Sequence, residues 1–421
     1  MSEKKKILVL SDHPLSPSGV GIQTKYMINS MMKTGKYRFV CLGGAIKHLD
    51  YRPVTTEEWG DDFIIYPIDG YGNPDMIRSI LRTEKPDILW FMTDPRFYDW
   101  LWQMEDEIRP LVPMIYYHVW DNYPPPHFNK AWYESTDVLA CISKVTTDIV
   151  KKVVPEHKEV HYLPHTLDTD QFKKLAHELV EEHRNTSFLR EEDRQKMIFL
   201  WNNRNARRKQ SGSLLFWFKS FLDKVGHDKA LLLMHTDPRD VHGQDLEAII
   251  NYLGLQNGQV YLSREKIDAS GLAMLYNLAD CTISVSDAEG FGLATLESLA
   301  CETPIITTMT GGLKEQVTDG DNWFGIGMEP TSKAIIGSQD IPYIYEDRLS
   351  EEVVVGAMEK MYNMSKKERA ALGRKGREHV LKNYNVEEFA KKWDEIFTNT
   401  IENFGSWNRR KNYKAWSLTE V

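Results

Sequence analysis

The stretch SDAEGFGLATLE, residues 286–297, decides the fold. It lies between CTISVS (281–286), which is typical of a buried strand, and LATLESLAC (293–301), which is typical of a helix. At such a junction, free backbone N–H groups and the positive end of the helix dipole meet. Gly290 and Gly292 would let a bulky anion approach the backbone. The stretch therefore predicts an anion site at the end of a strand.

Two glutamates flank this loop. Glu289 precedes it, and Glu297 lies about one turn inside the helix, where it can face the same ligand. Carboxylates do not bind phosphate, but they accept hydrogen bonds from hydroxyl groups. An anionic ligand with many hydroxyls is a sugar nucleotide. On spacing alone, a capping carboxylate and a surface helix glutamate explain the pair equally well.

A basic loop, WNNRNARRKQ (201–210), follows another apolar run. Arg204 and Lys209 lie five residues apart in it, and a guanidinium with an ammonium would neutralise a diphosphate. A solvated basic loop is the commoner explanation for a single cluster. The combination with the glutamate loop favours the sugar nucleotide.

Short apolar runs alternate with helical stretches in two series along the chain. The runs are 7–10, 38–43, 63–68, 87–92, 114–119 and 137–142, then 197–202, 230–235, 259–263, 281–286 and 303–308. This alternation predicts an α/β fold with two doubly wound, Rossmann-like domains facing a central cleft. We expect ligands beyond the carboxyl ends of the strands. The predicted domains are 1–164 and 165–389, with a helix and tail at about 390–421 packing back on the first.

Composition excludes several classes of protein. The 421 residues are too many for one ordinary core, and the net charge of -9 argues against a general nucleic-acid-coating protein. The four cysteines are far apart in apolar runs, without zinc-site spacing. The apolar run near the N-terminus is too short for a signal peptide, and no run has the length of a membrane span. We expect a cytoplasmic protein that is not an integral membrane protein.

Together the motifs resemble GT-B glycosyltransferases of the large retaining group often called family 4. In that family a Gly-Phe-Gly turn lies between two glutamates separated by seven residues, and an Arg-x4-Lys pair stands where Arg204 and Lys209 stand here. This chain departs from the family at Asn203, where glycine is usual, and at 165–166, where His-Thr replaces Asn-Gly. The other stretches that carry the resemblance are PSGVG (17–21), LPHTLDTDQF (163–172), TPIITT (303–308) and TGG (310–312).

The resemblance implies a nucleotide-sugar donor, expected to be a UDP-sugar, and no required metal or other cofactor. Glu297 is expected to hold the ribose hydroxyls and Glu289 the hydroxyls of the donor sugar. Arg204 and Lys209 are expected to clamp the diphosphate. The remaining donor contacts implied are Gly290, Phe291, Gly292 and Leu293 in the glutamate loop, Gly19 and Gly21 in the N-terminal loop, and Arg264 near the base.

His118 ends an apolar run, where family members often have a histidine facing donor sugar and acceptor. A buried histidine held by a hydrogen bond is the alternative. Asp94 and Asp121 also follow predicted strands and are candidates for binding the acceptor hydroxyl. The resemblance implies a same-face reaction, in which the leaving phosphate helps deprotonate the acceptor. The DTD triplet (168–170) spells a metal motif of another glycosyltransferase fold, but in a linker it is better explained as a turn.

Residues 90–133 contain 13 aromatic side chains, and those after the predicted strands are expected to line the acceptor side. A basic-aromatic tail, Arg409 to Lys411 with Tyr413, Lys414 and Trp416, could follow a phosphate backbone or be a solvated tail. The stretches GAIKHLDYRP, FMTDPRFY and WNNRNARRKQSG resemble glycosyltransferases of tailed phages. The resulting hypothesis is sugar transfer to 5-hydroxymethylcytosine, or a similar base, in DNA.

Other functions remain open. The acceptor could be a polysaccharide, a lipid or a protein, although no basic amphipathic helix favours a lipid. The chain could be a non-catalytic module that binds nucleotide sugars and partners DNA or protein, or a sugar-nucleotide epimerase that needs no acceptor.

Overall fold

The structure, a computed structural model, describes residues 3–186 and 190–413. The chain divides into two compact units. Unit 1 comprises Met1–Thr166, Gly337–Ile344 and Val386–Val421, and unit 2 comprises Leu167–Ile336 and Tyr345–Asn385. The domain boundaries expected from sequence, after residue 164 and near residue 390, stay a prediction. The short segment Gly337–Ile344 in unit 1 has no counterpart in the prediction.

Unit 1 is built on one sheet of eight strands. The strands are β1 (Lys5–Asp12), β2 (Tyr37–Gly44), β3 (Val54–Thr56), β4 (Gly60–Pro67), β5 (Ile88–Met92), β6 (Met114–His118), β7 (Val138–Cys141) and β8 (Glu159–Tyr162). Their order is β3-β4-β2-β1-β5-β6-β7-β8, and every pair is parallel except β3 with β4. The six apolar runs are confirmed as strands. The sequence pattern missed β3 and β8, because neither is an apolar run and neither is fully buried.

The helices of unit 1 cover the sheet. They are α1 (Gly19–Lys33), α2 (Pro74–Glu84), α3 (Asp99–Trp102), α4 (Glu105–Ile108), α5 (Lys130–Glu134), α6 (Lys144–Lys151) and α15 (Val386–Phe404). Near the C-terminus, α15 packs on α1 and β5. It buries Trp393 and Phe397, and the Trp393 ring lies 5.1 Å from that of Tyr117 and 5.8 Å from that of Trp90. Burial of these rings attaches the last long helix to the core of unit 1.

Unit 2 contains a second parallel sheet. Its strands are β9 (Met197–Asn202), β10 (Ala230–His235), β11 (Val260–Ser263), β12 (Cys281–Ser284), β13 (Ile305–Thr308) and β14 (Gly325–Met328), in the order β11-β10-β9-β12-β13-β14. The chain runs from β9 to one side of the sheet and from β12 to the other. The point between β9 and β12 is thus a topological switch point, where doubly wound sheets bind ligands beyond their carboxyl ends.

The helices of unit 2 complete the α/β alternation. They are α7 (His177–Thr186), α8 (Ser211–Val225), α9 (Leu246–Leu253), α10 (Ala269–Leu278), α11 (Leu293–Ala300), α12 (Leu313–Val317), α13 (Glu351–Asn363) and α14 (Lys366–Asn383). A separate two-stranded sheet, β15 (Ser332–Ile336) with β16 (Ile344–Arg348), lies between β14 and α13 in the chain. The two parallel sheets confirm the predicted α/β class. In the described part of the chain, no helix is long and apolar enough to cross a membrane.

Candidate functional site

The glutamate loop lies at the switch point of unit 2, between the end of β12 and the start of α11. Gly292 in this loop caps α11 with φ 94°, in the left-handed region that L side chains rarely adopt. A Cβ added there would lie 2.5 Å from Cδ2 of Leu313. Glycine is therefore required at this position both by its backbone conformation and by the lack of space.

Glu289 is held by two cations. Its carboxylate pairs with the Nζ of Lys209, and Nη1 of Arg208 lies 3.5 Å from Oε2. The side chain is only 14% exposed. Burial raises the pKa of Glu289, but the nearby charges of Lys209 and Arg208 outweigh it and hold the pKa below its usual value. The carboxylate is therefore ionised at neutral pH and can accept hydrogen bonds.

Both cations come from the loop that follows β9. A 3₁₀ turn, Arg207–Lys209, places Lys209 in a nearly buried position beside Glu289, and Arg208 donates to the carbonyl of Ala288. Arg204 points elsewhere: its Nε lies 2.6 Å from Oδ2 of Asp240, and it is 61% exposed. The structure brings the predicted Lys209 to Glu289 but not Arg204, and it adds Arg208. Sequence spacing did not indicate Arg208, since the 3₁₀ turn that brings it alongside Lys209 has no distinct pattern.

Glu297 lies in α11 and is half-buried. Its Oε2 accepts a hydrogen bond of 2.7 Å from the hydroxyl of Tyr276, which in turn accepts one of 2.7 Å from the amide of Asn202. Burial raises the pKa of Glu297 to about 7, although the Tyr276 hydroxyl lowers it. This carboxyl titrates in the physiological range, unlike Glu289. The sequence motifs did not indicate Tyr276 or Asn202. Tyr276 lies 21 residues before Glu297, and Asn202 lies still further away along the chain.

Hydrogen bonds from α12, and from the Gly-Gly turn that precedes it, hold the glutamate loop in place. The buried Gln316 donates from Nε2 to the carbonyls of Phe291, at 2.7 Å, and of Gly292, at 3.1 Å. The amide of Gly312 donates to the carbonyl of Glu289 at 3.0 Å, and a Cβ at Gly312 would lie 2.5 Å from the carbonyl oxygen of Gly290. The Gly-Gly turn therefore lets two backbone segments touch. The sequence motifs did not indicate Gln316 either.

Three further residues predicted on the donor side lie at the carboxyl edge of the second sheet or in the first helix. Arg264 directly follows β11 and pairs with Glu247. Gly21 lies in the first turn of α1, where its amide donates to Oγ of Ser18 at 3.0 Å. A Cβ at Gly21 would lie 2.6 Å from Oγ of Ser16, so close packing already requires a glycine. Gly19 is the first residue of the same helix.

His118 is fully buried at the end of β6. Its Nε2 lies 2.7 Å from the hydroxyl of Tyr133, and among the described residues its Nδ1 has no hydrogen-bond partner. Burial lowers the pKa of His118 to about 3, so the imidazole is neutral. Its setting matches a buried histidine held by a hydrogen bond, and its catalytic role stays a prediction.

The two acceptor-side aspartates differ in their surroundings. Asp94 caps the 3₁₀ turn Pro95–Tyr98 and pairs with Arg96, whose Nη2 lies 2.9 Å from Oδ2. Asp121 is half-buried in the segment after β6. The DTD triplet forms a turn as expected, since Oδ1 of Asp168 accepts from the amides of Asp170 and Gln171. No group of three His, Cys, Asp or Glu side chains suited to a metal ion occurs in the part of the chain that the structure describes.

The aromatic side chains of 90–133 and the basic tail are each partly buried. Eight of the 13 aromatic side chains in 90–133 are buried: Trp90, Phe91, Tyr98, Trp102, Tyr116, Tyr117, Trp120 and Tyr133. Their density reflects the core of unit 1, because both faces of the parallel sheet are covered. Among the aromatics that follow β5 and β6, Phe97 is 46% exposed, and Trp100, Tyr123 and Phe128 are half-buried. The expectation that these side chains line the acceptor side stays a prediction. In the basic tail, Arg410 is committed to the buried Asp137, with Nη2 2.9 Å from Oδ1. Lys414 and Trp416 lie outside the described residues.

Residues 240–379 match the family described as glycosyl transferases group 1. Over 237 residues the chain is 24% identical to N-acetyl-alpha-D-glucosaminyl L-malate synthase of Bacillus anthracis, covering 56% of this chain and 58% of that protein. Over 76 residues it is 36% identical to D-inositol 3-phosphate glycosyltransferase of Arthrobacter sp. (strain FB24), covering 18% of each. The chain thus matches less than two thirds of the length of these curated relatives.

Solved structures resemble the chain over most of its length. Sucrose-phosphate synthase from Thermosynechococcus elongatus has a TM-score of 0.75 at 16% identity, covering 95% of this chain and 100% of that one. Anabaena HepE in complex with UDP-glucose has a TM-score of 0.69 at 13% identity, covering 94% of this chain and 99% of that one. At such identities the likeness shows the fold. The family match lies within residues 240–379, and these neighbours show the fold of the chain, an α/β architecture with two Rossmann-like domains and parallel sheets.

Proposed function

We propose that the protein is a retaining glycosyltransferase that moves a sugar from a UDP-sugar to an acceptor hydroxyl. The observation that carries the proposal is the ionised Glu289, held by Lys209 and Arg208 at the switch point of unit 2. The family match includes this glutamate loop, and the structure of Anabaena HepE was solved with UDP-glucose.

In the proposed reaction, Lys209 and Arg208 offset the negative charge that grows on the diphosphate as the glycosidic bond breaks. Cations already in place need no rearrangement at that moment, which is the general reason that such groups accelerate reactions. Glu289 would accept hydrogen bonds from the donor sugar, and Glu297 from the ribose. Retention follows in the proposal if the leaving phosphate takes the acceptor proton on the same face.

The acceptor is the open part of the proposal. The hypothesis of 5-hydroxymethylcytosine in DNA stays a prediction, and one of its supports is weaker because Arg410 in the basic tail is paired with Asp137. The named relatives instead act on malate and on D-inositol 3-phosphate, according to their names. Small hydroxylated anions therefore belong in the acceptor screen beside DNA.

The experiment is to incubate the protein with a mixture of UDP-sugars and each acceptor, and to measure UDP release and product mass. The acceptors are malate, inositol phosphate, DNA with 5-hydroxymethylcytosine and plain DNA. We expect UDP release that is lost in Glu289→Gln, and an anomeric NMR signal that shows retention. A mass increase on hydroxylated DNA alone would establish DNA as the acceptor. A rearranged sugar nucleotide without a product would indicate an epimerase. Nucleotide-sugar binding without UDP release or rearrangement would favour the non-catalytic module.

The affinity for UDP-glucose should rise with pH. The pKa of Glu297 is about 7, and the ionised carboxylate accepts from hydroxyl groups at both oxygens, whereas the protonated form turns one oxygen into a donor. We therefore expect about tenfold tighter binding at pH 8 than at pH 6. Calorimetry at several pH values measures this, and Glu297→Gln should remove the dependence. An unchanged slope in that variant would contradict the assignment. Since the folded pKa lies above the ordinary 4.5, the same group lowers the stability of the fold as pH rises between these values.

A further inference from the structure

The small hairpin of β15 and β16 supplies two charged side chains that pair with Arg207 and Asp287, close in sequence to Lys209 and Glu289. Glu346 and Arg348 both lie on β16, and they are in contact, with Nη2 of Arg348 2.8 Å from Oε2 of Glu346. None of the sequence motifs includes this hairpin.

Glu346 connects the hairpin to the basic loop. Its two carboxylate oxygens accept from Nη1 and Nη2 of Arg207, at 2.8 and 2.5 Å, and its side chain is only 3% exposed. This two-point contact fixes the orientation of the guanidinium as well as its distance.

Asp287 connects the hairpin to the glutamate loop. Its carboxylate pairs with Arg348 and accepts from the amide of Gln210 at 2.6 Å, and its side chain is 3% exposed. Its backbone carbonyl accepts from the amide of Asp347 at 2.9 Å, and its amide donates to the carbonyl of Arg208 at 2.8 Å. One residue therefore ties three segments together.

These contacts form a four-charge chain, Arg207–Glu346–Arg348–Asp287. Its two ends each lie close in sequence to one member of the Lys209–Glu289 pair. Arg207 lies two residues before Lys209, and Asp287 lies two residues before Glu289. The four-charge chain thus joins the basic loop to the glutamate loop. It does so two residues before Lys209 in the first loop and two residues before Glu289 in the second.

Stability alone gives a poor account of this arrangement. Two carboxylates pay a desolvation cost when buried, and their pairs with arginine often do no more than balance it. Gln210 has a φ of 54°, which is unfavourable for a residue other than glycine, and its side chain is used on Asp287. Both features lower the stability of the fold, and both hold the two loops in a defined geometry.

We propose that the four-charge chain is a positioning device that sets the placement of Lys209 against Glu289 for sugar transfer. The inference rests on the proposed function, and it assigns Asp287, Glu346 and Arg348 as positioning residues. The competing explanation is that they only anchor the hairpin to unit 2.

The central test compares Glu346→Gln with the wild type, using Glu359→Gln as the matched control. Glu359 also accepts from a cation of unit 2, Lys224 at 3.3 Å, but on exposed helix surfaces. With UDP-glucose as donor, we expect kcat for UDP release to fall by about 10–100-fold in Glu346→Gln, with KM changed much less, because small misplacements cost rate. The control should match the wild type. Wild-type kcat in Glu346→Gln, whatever its Tm, would overturn the proposal.

Gln210→Gly separates positioning from anchoring. Glycine accepts the left-handed backbone without strain, which offsets the stability lost with the hydrogen bond from Gln210 to Asp287, so the Tm should change little, whereas the lost contact should lower kcat. An anchoring role alone predicts wild-type kcat. Arg348→Lys keeps the charge with one point of contact and should retain more activity than Arg348→Met, whereas equal activity of the two would count against the proposal.

A measurement without turnover keeps the two proposals distinguishable. A ¹³C NMR titration of the Glu289 carboxyl, assigned with Glu289→Gln, should show its pKa closer to the ordinary value in Glu346→Gln than in the wild type. The same pKa in both proteins would overturn the positioning role. Absence of UDP release and of UDP-glucose binding in the wild type would instead refute the proposed function.

Discussion

Replacing Lys209 with methionine is expected to lower kcat/KM for UDP-sugar turnover by about 10²–10³-fold, the usual cost of removing one group that stabilises charge in a transition state. Methionine preserves most of the side-chain volume and removes only the ammonium group that pairs with Glu289. Steady-state kinetics of UDP release measure the effect. Most of the loss should appear in kcat, because the ammonium faces more charge after the bond begins to break.

Lys219→Met is the matched control for this experiment. Lys219 also lies in unit 2, where it pairs with Asp223 along the exposed surface of α8 at 2.7 Å. Its replacement should leave kcat/KM unchanged. If Lys209→Met were as active as Lys219→Met, the assignment of the diphosphate site would be wrong.

Arg204→Met and Arg208→Met decide which arginine accompanies Lys209. Arg208 lies 3.5 Å from Glu289, whereas Arg204 pairs with Asp240. From these contacts we expect Arg208→Met to have the larger effect on kcat/KM. The opposite order would support the assignment implied by the family resemblance and would require Arg204 to leave Asp240 when the donor binds.

Replacing Asp137 with alanine is expected to destabilise the fold by about 3–5 kcal/mol, the usual cost of breaking a buried ion pair from one side. Asp137 is fully buried and pairs with Arg109 at 3.1 Å and with Arg410 at 2.9 Å. It also accepts from the amide of Met114 at 2.9 Å. Its loss would leave two guanidinium groups short of a partner. Urea unfolding, followed by circular dichroism, measures the change in the free energy of unfolding.

The control for this prediction is Asp148→Ala. Asp148 belongs to an exposed pair with Lys152 along α6, and such pairs contribute between zero and about 1 kcal/mol. A similar loss of stability in the two variants would contradict the role of burial. Arg410→Ala should also be destabilising, because its guanidinium is part of the folded unit rather than a free group for binding phosphate.

Local patterning in the sequence was enough to identify the α/β class and the glutamate loop. Apolar runs mark the parallel strands because both faces of such sheets are buried, so the signal is strong in each strand separately. The junction at Gly290 and Gly292 is equally local, since a strand, a glycine-rich turn and a helix follow one another in the chain. These features depend on neighbours in sequence.

Only the tertiary structure determined which charged side chains contact each other. Lys209 and Glu289 are 80 residues apart, and the periodicity of a sequence does not say which of several arginines in a loop will turn toward a distant carboxylate. For the same reason, the sequence motifs did not indicate the contacts of Glu346 and Asp287 with the two loops. Burial is likewise a property of the whole fold: the sequence alone does not say which of the 13 aromatics in 90–133 are buried in the core of unit 1. Side-chain partners and exposure depend on contacts between residues far apart in the chain, and these form only when the elements pack.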